Sequence, residues 1–184
     1  MRPQWISLEE EGGGIALLNN CKYGHDVEGG RMRLTLLCSP IAPDPDADRG
    51  DQYFTYALLP FKGHFGESGV IQSAYELNSP ATAFVGEGTA ASLEVSSFCN
   101  VDGNAVIIEC LKAPENAAKG EMILRLYESL GGRCKTTLHF SKDIVSAALT
   151  DMLEDNPSKL PVKGNNLNLD FKPFEIKTLR VAFK

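Results

Sequence analysis

The sequence predicts an all-β chain built as antiparallel β-sandwich layers, and three observations predict it. Apolar and polar residues alternate at period two over most of the length. Turn-forming residues recur about every eight to twelve positions, the spacing of short sandwich strands. No segment carries a long apolar stripe at helical spacing.

Taken in order, residues 31–36 place Arg31, Arg33 and Thr35 on one face and Met32, Leu34 and Leu36 on the other. Residues 106–111 and 122–127 are more continuously apolar, as strands covered on both faces are. In 134–140, Cys134, Thr136, Leu138 and Phe140 oppose Lys135, Thr137 and His139. Residues 144–154 fit one or two helical turns, or a strand through the β-branched pair Ile144 and Val145. In 166–171, Leu167, Leu169 and Phe171 oppose Asn166, Asn168 and Asp170. Between these lie Gly29-Gly30, Asp102-Gly103, Lys119-Gly120, Gly131-Gly132 and Lys163-Gly164, placed where hairpins should turn.

Asn78, Ser79 and Pro80 mark a boundary that divides the chain into 1–79 and 80–184. The second part is long enough for a small sandwich of about a hundred residues. The first has few strands and a long loop at 39–51, so its sheet edges would leave backbone groups unpaired. It reads as a piece of a larger sheet system.

Among the 184 residues, 18 Lys and Arg stand against 24 Asp and Glu, a formal charge of −6. That balance argues against a nucleic-acid partner, which needs a basic face. No apolar run reaches the ~18 residues of a membrane span, and the opening MRPQWISLEEEGG turns acidic where a secretion signal would be apolar. Cys21, Cys38, Cys99, Cys110 and Cys134 form no CxxC pair, and their odd number fits buried, reduced thiols. The expectation is a soluble, cytoplasmic chain with neither nucleic acid nor membrane as partner.

The most unusual stretch is Pro43-Asp44-Pro45-Asp46-Ala47-Asp48-Arg49-Gly50-Asp51. A calcium loop starting at Asp44 would need glycine sixth and glutamate twelfth, and those places hold Arg49 and Thr55. What remains is a solvated acidic loop, or a binding loop in which acidic neighbours orient the Arg49 guanidinium. His25, His64 and His139 lack ligand spacing, so no metal site is expected. Gly12-Gly13-Gly14 lacks the Lys-Ser/Thr of a phosphate loop and reads as a turn, and Gly66-Glu67-Ser68-Gly69 is not a nucleophile elbow. Phe54 and Tyr56, at strand spacing, read as core, while Tyr53 and Tyr56 offer faces on which a sugar ring could stack.

Several blocks resemble one known family. Gly14-Ile15-Ala16-Leu17-Leu18-Asn19-Asn20-Cys21-Lys22-Tyr23-Gly24-His25-Asp26 is similar to the "GVALLND-KYGYDV" stretch of glycoside hydrolase family 38 α-mannosidases. The Arg-Leu-Thr-Leu-Leu, Ala-Pro-Asp-Pro, Ala-Asp-Arg-Gly and Phe-Thr-Tyr-Ala-Leu pieces within 33–58 follow in the same order. Later, Leu124-Arg125-Leu126-Tyr127-Glu128 with Gly131-Gly132-Arg133, and Phe174-Glu175-Ile176-Lys177-Thr178-Leu179, resemble its "LRLYE-GGR" and "FEIKTL" blocks. The wording is that of the cytoplasmic and bacterial subgroup.

The resemblance implies the end of a large supersandwich followed by a small immunoglobulin-like sandwich. It further implies that retaining catalysis, with its paired carboxylates, and the zinc or other divalent metal belong to an N-terminal domain outside this segment. The segment itself would hold no catalytic residue, no metal and no cofactor, and would not hydrolyse mannosides alone. Its partners would be that catalytic domain and the α-mannoside substrate. By the same resemblance Asp48-Arg49-Gly50 matches a loop that reaches the substrate, which makes Arg49 a substrate contact oriented by Asp46 and Asp48. Apart from its catalytic domain, the first part would pair through exposed edges into a homodimer. The rival expectation is a free-standing carbohydrate-binding or adhesion sandwich using Tyr53 and Tyr56.

Overall fold

The computed structural model describes residues 4–85, 95–115 and 120–184. Its contacts divide the chain into two units, Met1–Glu87 and Gly88–Lys184. Antiparallel pairing runs through every sheet, as the all-β reading requires.

In the first unit, β1 (Trp5–Glu10), β2 (Gly13–Asn19) and β5 (Tyr56–Lys62) form a sheet in the order β1-β2-β5, and β3 (His25–Glu28) pairs with β4 (Arg31–Leu34) as a separate hairpin. Gly29 and Gly30 turn that hairpin with φ of 52° and 75°, a left-handed pair that β-carbons would strain. Gly13 and Gly14 lie within β2 and not in a turn. A β-carbon on Gly14 would sit 2.4 Å from the Leu8 carbonyl and 2.4 Å from the Phe61 ring, so the close approach of three strands requires glycine there.

One face of this sheet packs on a helix that the periodicity did not reveal, α1 (Val70–Asn78). Val70 and Ala74 bury against Ala16 and Leu18, with Trp5, Leu59, Phe61 and Leu77 around them. The spacing Val70, Ala74, Leu77 is helical, but it spans only two turns, and the helix lacks a side-chain cap at Gly69. Asn78 ties its end to the sheet by donating to the Asn19 carbonyl at 3.0 Å. The other sheet face is apolar too, with registers Ile6–Leu17–Leu58 and Leu8–Ile15–Pro60. Leu17 in the centre is buried, whereas Leu58 on edge strand β5 is 62% exposed.

The second unit is a two-layer sandwich. One sheet runs β11-β10-β13-β8-β7, built from β7 (Val106–Lys112), β8 (Glu121–Glu128), β10 (Ile144–Thr150), β11 (Ser158–Leu160) and β13 (Ile176–Phe183). The other runs β12-β9-β6, from β6 (Cys99–Val101), β9 (Cys134–Phe140) and β12 (Asn166–Phe171). Leu124, Leu126, Leu179 and Val181 from the first face Leu138, Phe140, Leu167 and Leu169 from the second in one core. Phe98, Phe140 and Phe183 close one part of it edge to face, with centroids 5.2–6.0 Å apart. Residues 144–150 are strand, and a turn held by Asp151, whose carboxylate accepts from the Leu153 and Asp155 N–H groups, follows.

The glycine turns need one correction. Asp102-Gly103 and Gly131-Gly132 connect strands of different sheets and not paired hairpins, because β6 and β9 belong to the opposite layer from β7 and β8. Lys163-Gly164, in contrast, is a tight paired turn in which Lys163 and Asn166 exchange both backbone hydrogen bonds, although it leads from β11 in one layer to β12 in the other. Turn chemistry reports a reversal of direction and is silent about which layer the next strand joins. Gly120 has φ +81° before β8, while its neighbour Lys119 lies outside the described residues.

The Glu128 block has a structural cause. The Glu128 side chain is fully buried, and its carboxylate accepts from the N–H groups of Leu130, Gly131 and Phe174, each at 2.9 Å. Burial pushes this carboxyl up, but the backbone donors, Gly132 included, outweigh it and hold the group below the ordinary glutamate value. One side chain thus fastens the β8–β9 connection to the turn before β13.

The cysteine expectation changes in one respect. All five are free thiols, yet Cys38 is exposed and the others are only half-buried.

Candidate functional site

The loop between β4 and β5 is built from successive turns. Asp44 Oδ1 accepts from the Asp46 N–H at 2.9 Å, and the Asp46 carbonyl accepts from the Arg49 N–H at 3.1 Å. Asp48 and Gly50 take left-handed backbone angles, φ 60° and 96°. Asp is among the few side chains that tolerate this region, and glycine enters it freely.

The two acids proposed to orient Arg49 do different things. Asp46 Oδ1 pairs with Arg49 Nη1 at 2.5 Å, and both side chains are largely exposed, at 69% and 75%. Asp48 turns the other way: its Oδ2 accepts from the Ser39 N–H at 2.9 Å and the Cys38 N–H at 3.2 Å. Those two donors, Ser39 first, hold the Asp48 carboxyl below its ordinary value, and the Lys22 charge adds to them against desolvation. Asp48 therefore closes the loop by joining its two limbs, and Asp46 alone grips the guanidinium. An exposed pair like Arg49–Asp46 contributes about 1 kcal/mol at most, so the backbone bonds of Asp48 carry more of the loop's order. Arg49 keeps further N–H donors directed at solvent, enough for a bidentate contact with a polar ligand.

The far limb carries aromatic rings. Phe54 and Tyr56 stack with centroids 6.5 Å apart, and Lys22 Nζ stands 5.1 Å from the Phe54 centroid. Tyr53 is 86% and Tyr56 55% exposed. The core expectation for Tyr56 fails because β5 is an edge strand, and Tyr56 points away from the face that α1 covers.

Sequence reasoning missed the residues that stage this limb. Asn20 Oδ1 accepts from the Thr55 N–H at 2.9 Å, and the Asn20 N–H donates to the Thr55 carbonyl at 3.1 Å. Buried Asn19 accepts from the Lys22 N–H at 2.8 Å. The signal was an Asn pair directly after an apolar strand, where amide side chains satisfy backbone that has left the ladder.

Among the described residues no group of three or more His, Cys, Asp or Glu is arranged to hold a metal ion. Asp44 and Asp48 each place one carboxylate oxygen on backbone N–H groups, and Asp46 places one on Arg49. Nor, among the described residues, is any helix long and apolar enough to cross a membrane.

Comparison with known proteins places the fold. Residues 2–46 match the model described as glycosyl hydrolases family 38 C-terminal domain, and residues 105–179 match the glycosyl hydrolases family 38 C-terminal beta sandwich domain. The chain is 42% identical to human and 44% identical to mouse Alpha-mannosidase 2C1, over 98% of its own length and 18% of theirs. It is 34% identical to Alpha-mannosidase G of Dictyostelium discoideum, over 96% of its length and 17% of the relative's. The chain thus spans about a fifth of the length of the curated relatives it matches.

Proposed function

This chain belongs to glycosyl hydrolase family 38 as sequence of its C-terminal β-sandwich region, and we propose that it serves an α-mannosidase as a non-catalytic support for the catalytic domain. The enzyme it serves is a glycosidase that releases terminal α-mannose with retention. The observation that carries this reading is the order of the two C-terminal matches along one chain, with relatives at 42–44% identity spanning both units.

In this reading the paired carboxylates and the zinc, or another divalent metal, sit in the catalytic domain, and hydrolysis is not a property of these residues. The segment lends packing surface to that domain, and the half-covered face around Leu17 and Leu58 suits that role. The enzyme works in the cytoplasm, in keeping with five unpaired thiols.

Arg49 is the residue through which the segment would touch an α-mannoside. Its donors are available, Asp46 steadies them, and Asp48 sets the loop that presents them. In a full-length mannosidase carrying this region, Arg49→Ala should lower kcat/KM about tenfold or more, the size of a lost charged hydrogen bond, with the melting temperature almost unchanged. A fall in melting temperature with normal kinetics would assign Arg49 to the loop's structure instead. The chain alone, given zinc and an activated aryl α-mannoside, should show no turnover that scales with protein concentration.

A second reading rests on the exposed rings of Tyr53 and Tyr56, which suit a sugar-stacking module. Saturable mannoside binding by the chain alone, abolished by Tyr53→Ala with Tyr56→Ala, would favour it over a supporting role.

A further inference from the structure

A charged cluster in the second unit is used by none of this. A groove of about 550 Å³ opens where the start of β9 meets the end of β12 and the start of β13. Cys134 and Phe171, register partners across β9 and β12, stand at its base. Arg133 and Lys135 enter from one side, Lys172 and Lys177 from the other. Because β9 and β12 lie in one sheet and β13 in the other, the four cations meet only once the sandwich has closed.

Two carboxylates share the groove. Both oxygens of Glu175 are engaged: Oε2 accepts from the Lys172 N–H at 2.8 Å, and Oε1 pairs with Lys177 Nζ at 3.3 Å. Lys177 also lies over the Phe171 ring, 5.5 Å from its centroid. Asp170 stands opposite Lys135 in the strand register, its side chain outside ion-pair distance of any described cation. Glu128, whose charge reaches Cys134, is covered by its backbone donors. The exposed side chains of Arg133, Lys135 and Lys172 have no ion-pair partner among the described residues. Glu175 feels the charge of Lys177 and, more weakly, of Lys172, so four cations stand against the two carboxylates of Glu175 and Asp170 and leave the groove positive in a unit that is neutral as a whole.

We propose that this groove is an anion site for a phosphomonoester, either free phosphate or the phosphate of a sugar phosphate. A phosphate dianion matches the charge better than a single carboxylate does. The Arg133 fork can take two of its oxygens while Lys135 and Lys172 act as point charges. The volume exceeds what a bare ion needs and leaves room for a monosaccharide-sized remainder. The site is open to water, so salt weakens binding. It does not depend on the mannosidase reading.

The test is an amide-resolved NMR titration of the full chain with inorganic phosphate and, separately, with glucose 6-phosphate. Saturable shifts at residues 133–135 and 170–177 are expected. Tighter binding of the ester would identify a sugar-phosphate site, and equal binding a free-phosphate site. Arg133→Ala with Lys172→Ala should weaken binding at least about tenfold while keeping the dispersed spectrum. Lys142→Ala, outside the groove, should leave affinity unchanged. No saturation by about 10 mM ligand, well above ordinary anion-site constants, would overturn the proposal. So would shifts spread evenly over lysines elsewhere, or binding unaltered in the double variant.

Discussion

The unit Met1–Glu87 carries 12 acidic residues against 6 basic ones, and Gly88–Lys184 carries 12 against 12, so the whole charge of −6 lies in the first. Their cores differ as sharply. Among the described residues, the second buries twelve in one cluster between two sheets, and the first buries four between one sheet and a nine-residue helix. Large apolar side chains are exposed on both, Ile41 and Leu58 on one, Val145 and Leu153 on the other. What separates the units is closure, since two sheets of a sandwich cover each other, whereas the three-stranded sheet has α1 on one face and is only half-covered on the other, buried at Leu17 and open at Leu58.

The strongest challenge to that contrast is Leu124→Ala, which empties a fully buried position in the second core. It should cost about 3 kcal/mol. Trp5 is the only tryptophan and belongs to the first unit, so its fluorescence transition should hold while the circular-dichroism transition falls. Equal shifts in both would mean that the units unfold as one and would remove the contrast.

Next in size is Glu128→Gln, which turns an amide nitrogen toward backbone donors and should cost roughly 2–3 kcal/mol. Its pH signature has a definite sign. A carboxyl held below its ordinary value of 4.5 stabilises the fold above that pH, and the stabilisation disappears as pH falls through the lower, folded value. Urea midpoints taken downward from pH 5 should therefore drop faster in the parent chain than in Glu128→Gln. Parallel curves would deny Glu128 its fastening role.

Leu58→Lys tests the open face of the first unit. As an exposed substitution it should change stability by less than about 0.5 kcal/mol. Light scattering at high concentration should find the parent chain self-associating and the variant less so, because lysine on an edge strand discourages pairing. A monomeric parent would show that the half-covered face and the β5 edge do not drive association.

The smallest effect concerns His139, whose Nδ1 meets Asn166 Oδ1 at 2.8 Å and whose Nε2 meets Asp102 Oδ1 at 3.0 Å. The bond to Asn166, then the one to Asp102, raises its pKa above 6.5. The stabilisation is complete below 6.5 and lost as pH rises through the folded value. Melting temperatures should decline slightly from that point upward, and His139→Gln should flatten the slope.

Much of this architecture was legible because burial follows alternation. Cys134 to Phe140 and Asn166 to Phe171 occupy the faces their pattern assigns, since a one-residue slip would turn the whole apolar set to water. Helix α1 was not legible: two turns of apolar spacing beginning with β-branched Val70 and Ile71 resemble a strand as closely as a helix. The loop at Arg49 stood out by composition, but the division of work between Asp46 and Asp48 did not. Which carboxylate reaches a guanidinium and which reaches a backbone ten residues away depends on the left-handed bend at Asp48.

By itself, then, the sequence determined the fold class, the strand faces, the places where the chain reverses and the family, all of them consequences of local pattern. Only the tertiary structure decided which layer each strand joined, that Tyr56 lies on an open edge, and that Arg133, Lys135, Lys172 and Lys177 share one groove. The physical reason is range. Side-chain alternation acts between neighbours, whereas the Glu128 bonds and the meeting of cations from two sheets exist only after segments far apart in the chain have packed.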